Sequence, residues 1–131
     1  MDPLYAVVAA EGLDKAAAER IADDSREADV LPIQAVQAYR KGPWVLELAG
    51  VHLLLEEGAT VDAVSWNLTP VGIGRLTYTF EWLFEQIPGE LIFEVLWGED
   101  PIDKLVSREE LLRVVATGRL GGRTRYRVRK A

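Results

Sequence analysis

The chain has 131 residues, 49% apolar and 27% charged, enough for one well-filled core and too short for two. It contains no cysteine, which excludes disulfides, thiolate nucleophiles and cysteine-ligated zinc or iron–sulfur centres. The formal charge of −6 is uneven: the first 118 residues carry nine basic against 21 acidic side chains, and the last thirteen carry six basic ones and no acid.

The opening Met1-Asp2-Pro3-Leu4 is acidic, and Glu11 interrupts the apolar run behind it, so this stretch does not read as a secretory signal. No apolar run approaches the ~20 residues that span a bilayer. A cytoplasmic protein with no membrane role is expected. Arginine outnumbers lysine, asparagine occurs once and methionine only at position 1, a bias that suits a GC-rich bacterial genome.

Residues 4–10 form a short apolar run that predicts a buried strand, closed by Gly12. Residues 14–22 are rich in helix formers, with Leu13, Ala17 and Ile21 four apart, and predict a first helix fraying near Asp23, Asp24 and Ser25. Residues 33–39 alternate weakly as a strand. The apolar runs 44–48 and 51–56, joined through Ala49 and Gly50, read as a β-hairpin, and 61–66 as a further strand. Residues 70–74 read as a loop. Phe80, Leu83, Phe84 and Ile87 then mark one face of a second helix over 77–87, stopped by Pro88 and Gly89. Residues 91–97 alternate as the clearest strand. A turn at 98–101 precedes Ser107-Arg108-Glu109-Glu110, a capping box opening a third helix that ends near Gly118. A glycine-rich turn over 119–122 leads to a terminal strand over 123–130. The order predicts a single α+β domain: a mixed sheet of five to seven strands with three helices packed on it.

Few residues suggest catalysis. His52, the only histidine, falls in an expected strand with neither metal-ligating companions nor a nucleophile in its pattern. Serine occurs only at 25, 65 and 107; Ser107 serves as a cap, and Ser65 lacks the flanking glycines of a nucleophile elbow. Consecutive acids such as Glu56-Glu57 and Glu99-Asp100 point to different sides or into water. No catalytic residue, metal or cofactor is assigned.

Gly72, Gly74 and Arg75 stand just before a helix, where outward-pointing backbone amides and small residues suit an anion. The plain alternative is a turn whose glycines serve the backbone. This segment, the helix through Ile87 and the strand at Leu91 resemble the pyrophosphate loop of the GCN5-like acetyltransferases, with Thr69 where that family carries Gln or Arg. Over these thirty or so residues the resemblance implies an acyl-CoA ligand, and the anion geometry would equally take a nucleotide.

Alternation in the terminal strand puts Arg123, Arg125, Arg127 and Arg129 on one face, with Thr124, Tyr126, Val128 and Lys130 on the other. Four guanidinium groups cannot be buried unpaired. Cross-strand pairing with Glu47 and Glu94 is the economical arrangement. The alternatives are nucleic-acid contact, which the acidic body opposes, a charge-guarded edge, and edge pairing with a second copy of the chain.

Opposite the core stripe of the second helix stand Tyr78, Glu81, Trp82 and Glu85. Tyrosine and tryptophan are enriched in binding hot spots, and an acidic surround selects a basic protein partner. The alternative is burial beneath the region of Trp66 or the chain after Trp97. The leading expectation is a non-enzymatic interaction module, of the kind represented by small acidic bacterial inhibitors or immunity proteins, that occludes a basic surface. The second is a small-molecule enzyme or binder that holds an anionic cofactor in the loop at 72–75.

Overall fold

The computed structural model describes residues 6–56, 65–95 and 100–130. In chain order, β1 (Val7–Ala10) leads into α1 (Lys15–Glu27), followed by β2 (Ile33–Gln37) and β3 (Trp44–Leu48). A short 3-10 helix (Val51–Leu54) and β4 (Ser65–Asn67) precede α2 (Pro70–Gln86). Then come β5 (Leu91–Glu94), β6 (Ile102–Val106), α3 (Arg108–Ala116), β7 (Arg119–Gly121) and β8 (Thr124–Val128). Six strands form a mixed sheet in the order β2-β3-β1-β5-β8-β6, antiparallel except for the β8–β6 pair. β4 and β7 form a separate small sheet, Trp66 opposite Leu120. This is the mixed-sheet α+β architecture that the order of elements implies.

Pleating gives the large sheet two unlike faces. On one, Leu46, Val8, Phe93 and Tyr126 stand in cross-strand register and are all buried. The helices close over this side. Phe80 of α2 meets Phe93 edge-on with centroids 4.7 Å apart, and Phe93 stacks on Tyr126 at 6.1 Å. Such pairs add about 0.5–1.5 kcal/mol each beyond burial. Ala18, Ile21 and Ala22 of α1 and Leu111 and Val115 of α3 complete the same core. On the opposite face one row crosses all six strands: Gln34, Glu47, Val7, Glu94, Arg125 and Asp103.

Several elements depart from the sequence expectation, each for a local reason. The first helix does not fray at Ser25 but runs to Glu27. Ser25 faces inward, and its hydroxyl donates to the Ala22 carbonyl at 2.6 Å, so a polar residue sits in the buried stripe without an unmet hydrogen bond. The run 51–56 is not a strand. Gly50 turns the chain at φ 73°, and Val51 and Leu54 are buried while His52 and Leu53 are exposed, the i, i+3 period of a 3-10 turn. The hairpin partner of β3 is β2 instead, from Ile33 opposite Leu48 to Gln37 opposite Trp44.

Residues 70–74 are not a loop, because α2 begins at Pro70. Thr69 caps it, accepting from the Gly72 N–H at 3.0 Å, and Pro70 occupies the first helical position, where its missing N–H costs nothing. Gly72 is required by proximity, since a Cβ there would collide with the Leu54 carbonyl.

Residues 119–121 pair as β7 rather than forming the turn, and β8 starts at Thr124 after Arg123, whose φ is 59°. β8 lies between β5 and β6, so it is interior and offers no edge to a second copy. The outer part of the expected strand 61–66, the end of 91–97 with Trp97, and the acids Glu57 and Glu99 lie outside the described residues. No helix among the described residues is long and apolar enough to cross a membrane.

Candidate functional site

Tyr78, Glu81, Trp82 and Glu85 follow i, i+3, i+4, i+7 along α2 and therefore share one side of it. Glu81 and Glu85 are exposed, Tyr78 is 52% exposed, and Trp82 is half-buried against the core. The Tyr78 hydroxyl donates to the Ala28 carbonyl at 3.2 Å, and the Leu31 N–H donates to Thr79 Oγ1 at 3.1 Å. The stripe thus borders the C-terminal end of α1 rather than pointing wholly away from the molecule. The reason is position: α2 packs on α3 as well as on the sheet, so its apolar arc is wider than a single sheet-facing stripe. Trp82 is divided as a result, part of it in the core and part at the surface. Trp66, considered as a cover for this side, is itself a core residue at 1% exposure.

The surroundings are acidic. Glu19, Asp23, Asp24 and Glu27 of α1 and Asp29 beyond it are exposed, and Glu27 and Asp29 flank the carbonyl that Tyr78 engages. The exposed cations on these two helices are fewer, and Lys15 is drawn to Glu19 at 4.0 Å.

The arginines of the last strand divide. Arg125 lies 3.8 Å from Glu94 and 3.5 Å from Asp103, and Arg127 lies 3.4 Å from Glu90. Cross-strand pairing therefore uses Glu94, as alternation suggests, together with two acids that the sequence did not single out. Glu47 stands in the same row, but its in-register neighbours are Gln34 and Val7. Arg123 sits in the turn and Arg129 beyond the strand end, so the expected stripe of four is a pair inside β8 with one arginine on either side. Glu94 is buried, and that desolvation raises its pKa above the ordinary glutamate range; Arg125 works against the rise and Asp103 adds to it.

Gly72, Gly74 and Arg75 fall in the first turns of α2. The Gly72 amide is occupied by Thr69 and its α-carbon faces the Leu54 carbonyl, while Gly74 has open space around it and Arg75 is exposed. His52 is exposed on the 3-10 helix. Among the described residues no three histidine or acidic side chains are grouped closely enough to hold a metal ion.

Arg108 carries a role the sequence hid. Its guanidinium donates to the carbonyls of Phe84, Ile87, Pro88 and Gly89 at 2.9–3.4 Å and lies 5.0 Å from the centre of the Phe84 ring. It closes the C-terminal end of α2, where the macrodipole favours a cation. In sequence it is only the second residue of a capping box, and nothing local marks its reach across twenty residues. No protein-family model, no curated protein and no solved structure matches this chain.

Proposed function

We propose that the chain is a non-enzymatic binding module that docks on a basic protein surface through Tyr78, Glu81, Trp82 and Glu85, in the manner of a small acidic inhibitor. The observation that carries this reading is an exposed phenol beside a partly buried indole, with exposed carboxylates on the same helix and on α1. Tyrosine and tryptophan supply large contact area for little lost rotamer freedom. The surrounding acids accelerate encounter with a basic partner and exclude acidic ones. A cysteine-free, acidic chain of this composition suits the bacterial cytoplasm as its place of action.

The test is affinity capture by wild type, Trp82→Ala and Glu81→Lys/Glu85→Lys, each first shown to be folded by circular dichroism. Basic proteins held by the wild type at low salt are expected to be lost from both variants. They should also elute as salt shortens the screening length from about 30 Å toward about 8 Å. An unchanged set of partners on both folded variants overturns the proposal.

A further inference from the structure

A cleft of about 810 Å³ opens at one end of the large sheet, where the chain leaves β1, enters β5 and leaves β8. This volume lies within the range of about 300–1,000 Å³ typical of small-molecule sites. Buried Ile21 of α1 and Ile87 at the end of α2 give it an apolar wall, and half-buried Gln86 adds an amide. Three cations line it: Arg20, Arg129 and Lys130, all exposed. Among the described residues none of the three has a carboxylate within ion-pair distance, whereas Arg125 and Arg127 are both paired. Of the two acids at the cleft, Glu90 is already engaged by Arg127 at 3.4 Å, which leaves Glu11 alone against three positive charges.

One feature that would oppose an anion here is neutralised: the carbonyl end of α2, negative by its dipole, is covered by the Arg108 guanidinium. Glu85, the acid of the stripe next to Gln86 in sequence, is exposed and does not line the cleft. At the opposite end of α2, by contrast, the Gly72 amide is already taken by Thr69.

We infer that this cleft binds a small organic anion, a phosphate or carboxylate group on an apolar body, with Arg20, Arg129 and Lys130 holding the charge and Ile21 and Ile87 the body. The site shares no residue with the Tyr78–Trp82 stripe and stands or falls apart from it.

The experiment titrates the full chain with hexyl phosphate and with hexanoate, following backbone amides and isoleucine methyls by NMR; inorganic phosphate and 1-hexanol serve as controls. Saturable shifts centred on Ile21, Gln86 and Ile87 are expected. Affinity for at least one amphiphilic anion should exceed that for both controls by about tenfold or more, since guanidinium–anion and apolar contacts each contribute. The stronger of the two anions identifies the charged group. Arg20→Gln/Arg129→Gln should weaken binding by about tenfold or more, in line with loss of charge-assisted hydrogen bonds. Both side chains are exposed and have no ion pair among the described residues, so the fold should persist, and the amide spectrum checks this. Arg123→Gln, in the turn at the opposite end of β8 from the cleft, should bind as wild type. The inference is overturned by absence of saturation with both anions, by 1-hexanol binding as tightly as they do, or by a folded double variant that binds unchanged.

Discussion

Glu94 is the residue whose chemistry is most constrained by its position. It is 9% exposed, in the middle of a sheet face, and its ion-pair partner, Arg125, is shared with Asp103. Desolvation outweighs Arg125, so the folded protein holds the Glu94 proton more tightly than the unfolded chain does. Folding then takes up a proton. The stabilising contribution is complete below the unfolded value of about 4.3 and is lost as pH rises through the raised folded value. Glu94→Gln removes this titration. Urea denaturation from about pH 4 to about pH 7 should show the variant gaining stability relative to wild type as pH rises. A difference that stays constant with pH would mean that Arg125 compensates the burial fully. The Glu94–Arg125 pairing was legible from strand alternation, which puts both side chains on one face. The contribution of Asp103 was not, because it depends on β6 running parallel beside β8, a pairing that no local pattern encodes.

At the scale of elements, α2 positions most of what has been described, and both its ends are fixed by side chains outside its core stripe. Its start was misread because Thr69-Pro70 followed by two glycines resembles a turn. The glycine at 72 in fact answers to the Leu54 carbonyl, a contact with a segment fifteen or more residues earlier. Thr69 serves both as a cap for Gly72 and as a donor to Leu54, so Thr69→Ala should cost about 1 kcal/mol or somewhat more. At the other end, Arg108→Met leaves the last carbonyls of α2 without their charged donor. Hydrogen bonds to charged groups contribute about 1.5–3 kcal/mol, so a loss of about 2–3 kcal/mol is expected by chemical denaturation. Arg108→Lys should fall between, because a single ammonium cannot span the carbonyls that a planar guanidinium reaches. If lysine and methionine prove equally costly, the forked geometry matters and the charge does not. The elements read correctly were those whose signals are local, such as the Ser107 cap, whose Oγ accepts from the Glu110 N–H at 3.1 Å, and the Pro88 stop. The 3-10 helix failed that test, since four apolar residues in five carry no period until burial distinguishes them.

Across the whole molecule, the class of fold followed from the alternation of short apolar runs with amphipathic helices, but the strand order did not. Whether β1 lies at the centre or the edge is decided by long-range pairing, and the candidate surfaces depend on it as well: the cationic cleft joins residues 20, 86 and 129, which only the strand order brings together. The same assembly concentrates carboxylates on the helical side, and this has a consequence for stability. At about 10 mM salt the screening length of about 30 Å exceeds the length of either helix at about 1.5 Å per residue, so repulsion among Glu19, Asp23, Asp24, Glu27, Asp29, Glu81 and Glu85 is little screened. At about 150 mM it falls to about 8 Å and the repulsion becomes local. Salt also weakens the exposed ion pairs of Lys15 with Glu19 and of Arg127 with Glu90, but each such pair is worth about 0–1 kcal/mol. Repulsion among the more numerous acids should win, and the melting temperature at neutral pH should rise by about 2–5 °C between these salt concentrations, the shift that roughly 1 kcal/mol produces in a chain of this size. Glu81→Lys/Glu85→Lys takes the formal charge from −6 to −2 and should flatten that rise while raising stability at low salt. A melting temperature that falls with salt would show that attraction already dominates, and the acidic layer would then be neutralised from within rather than held ready for a basic partner.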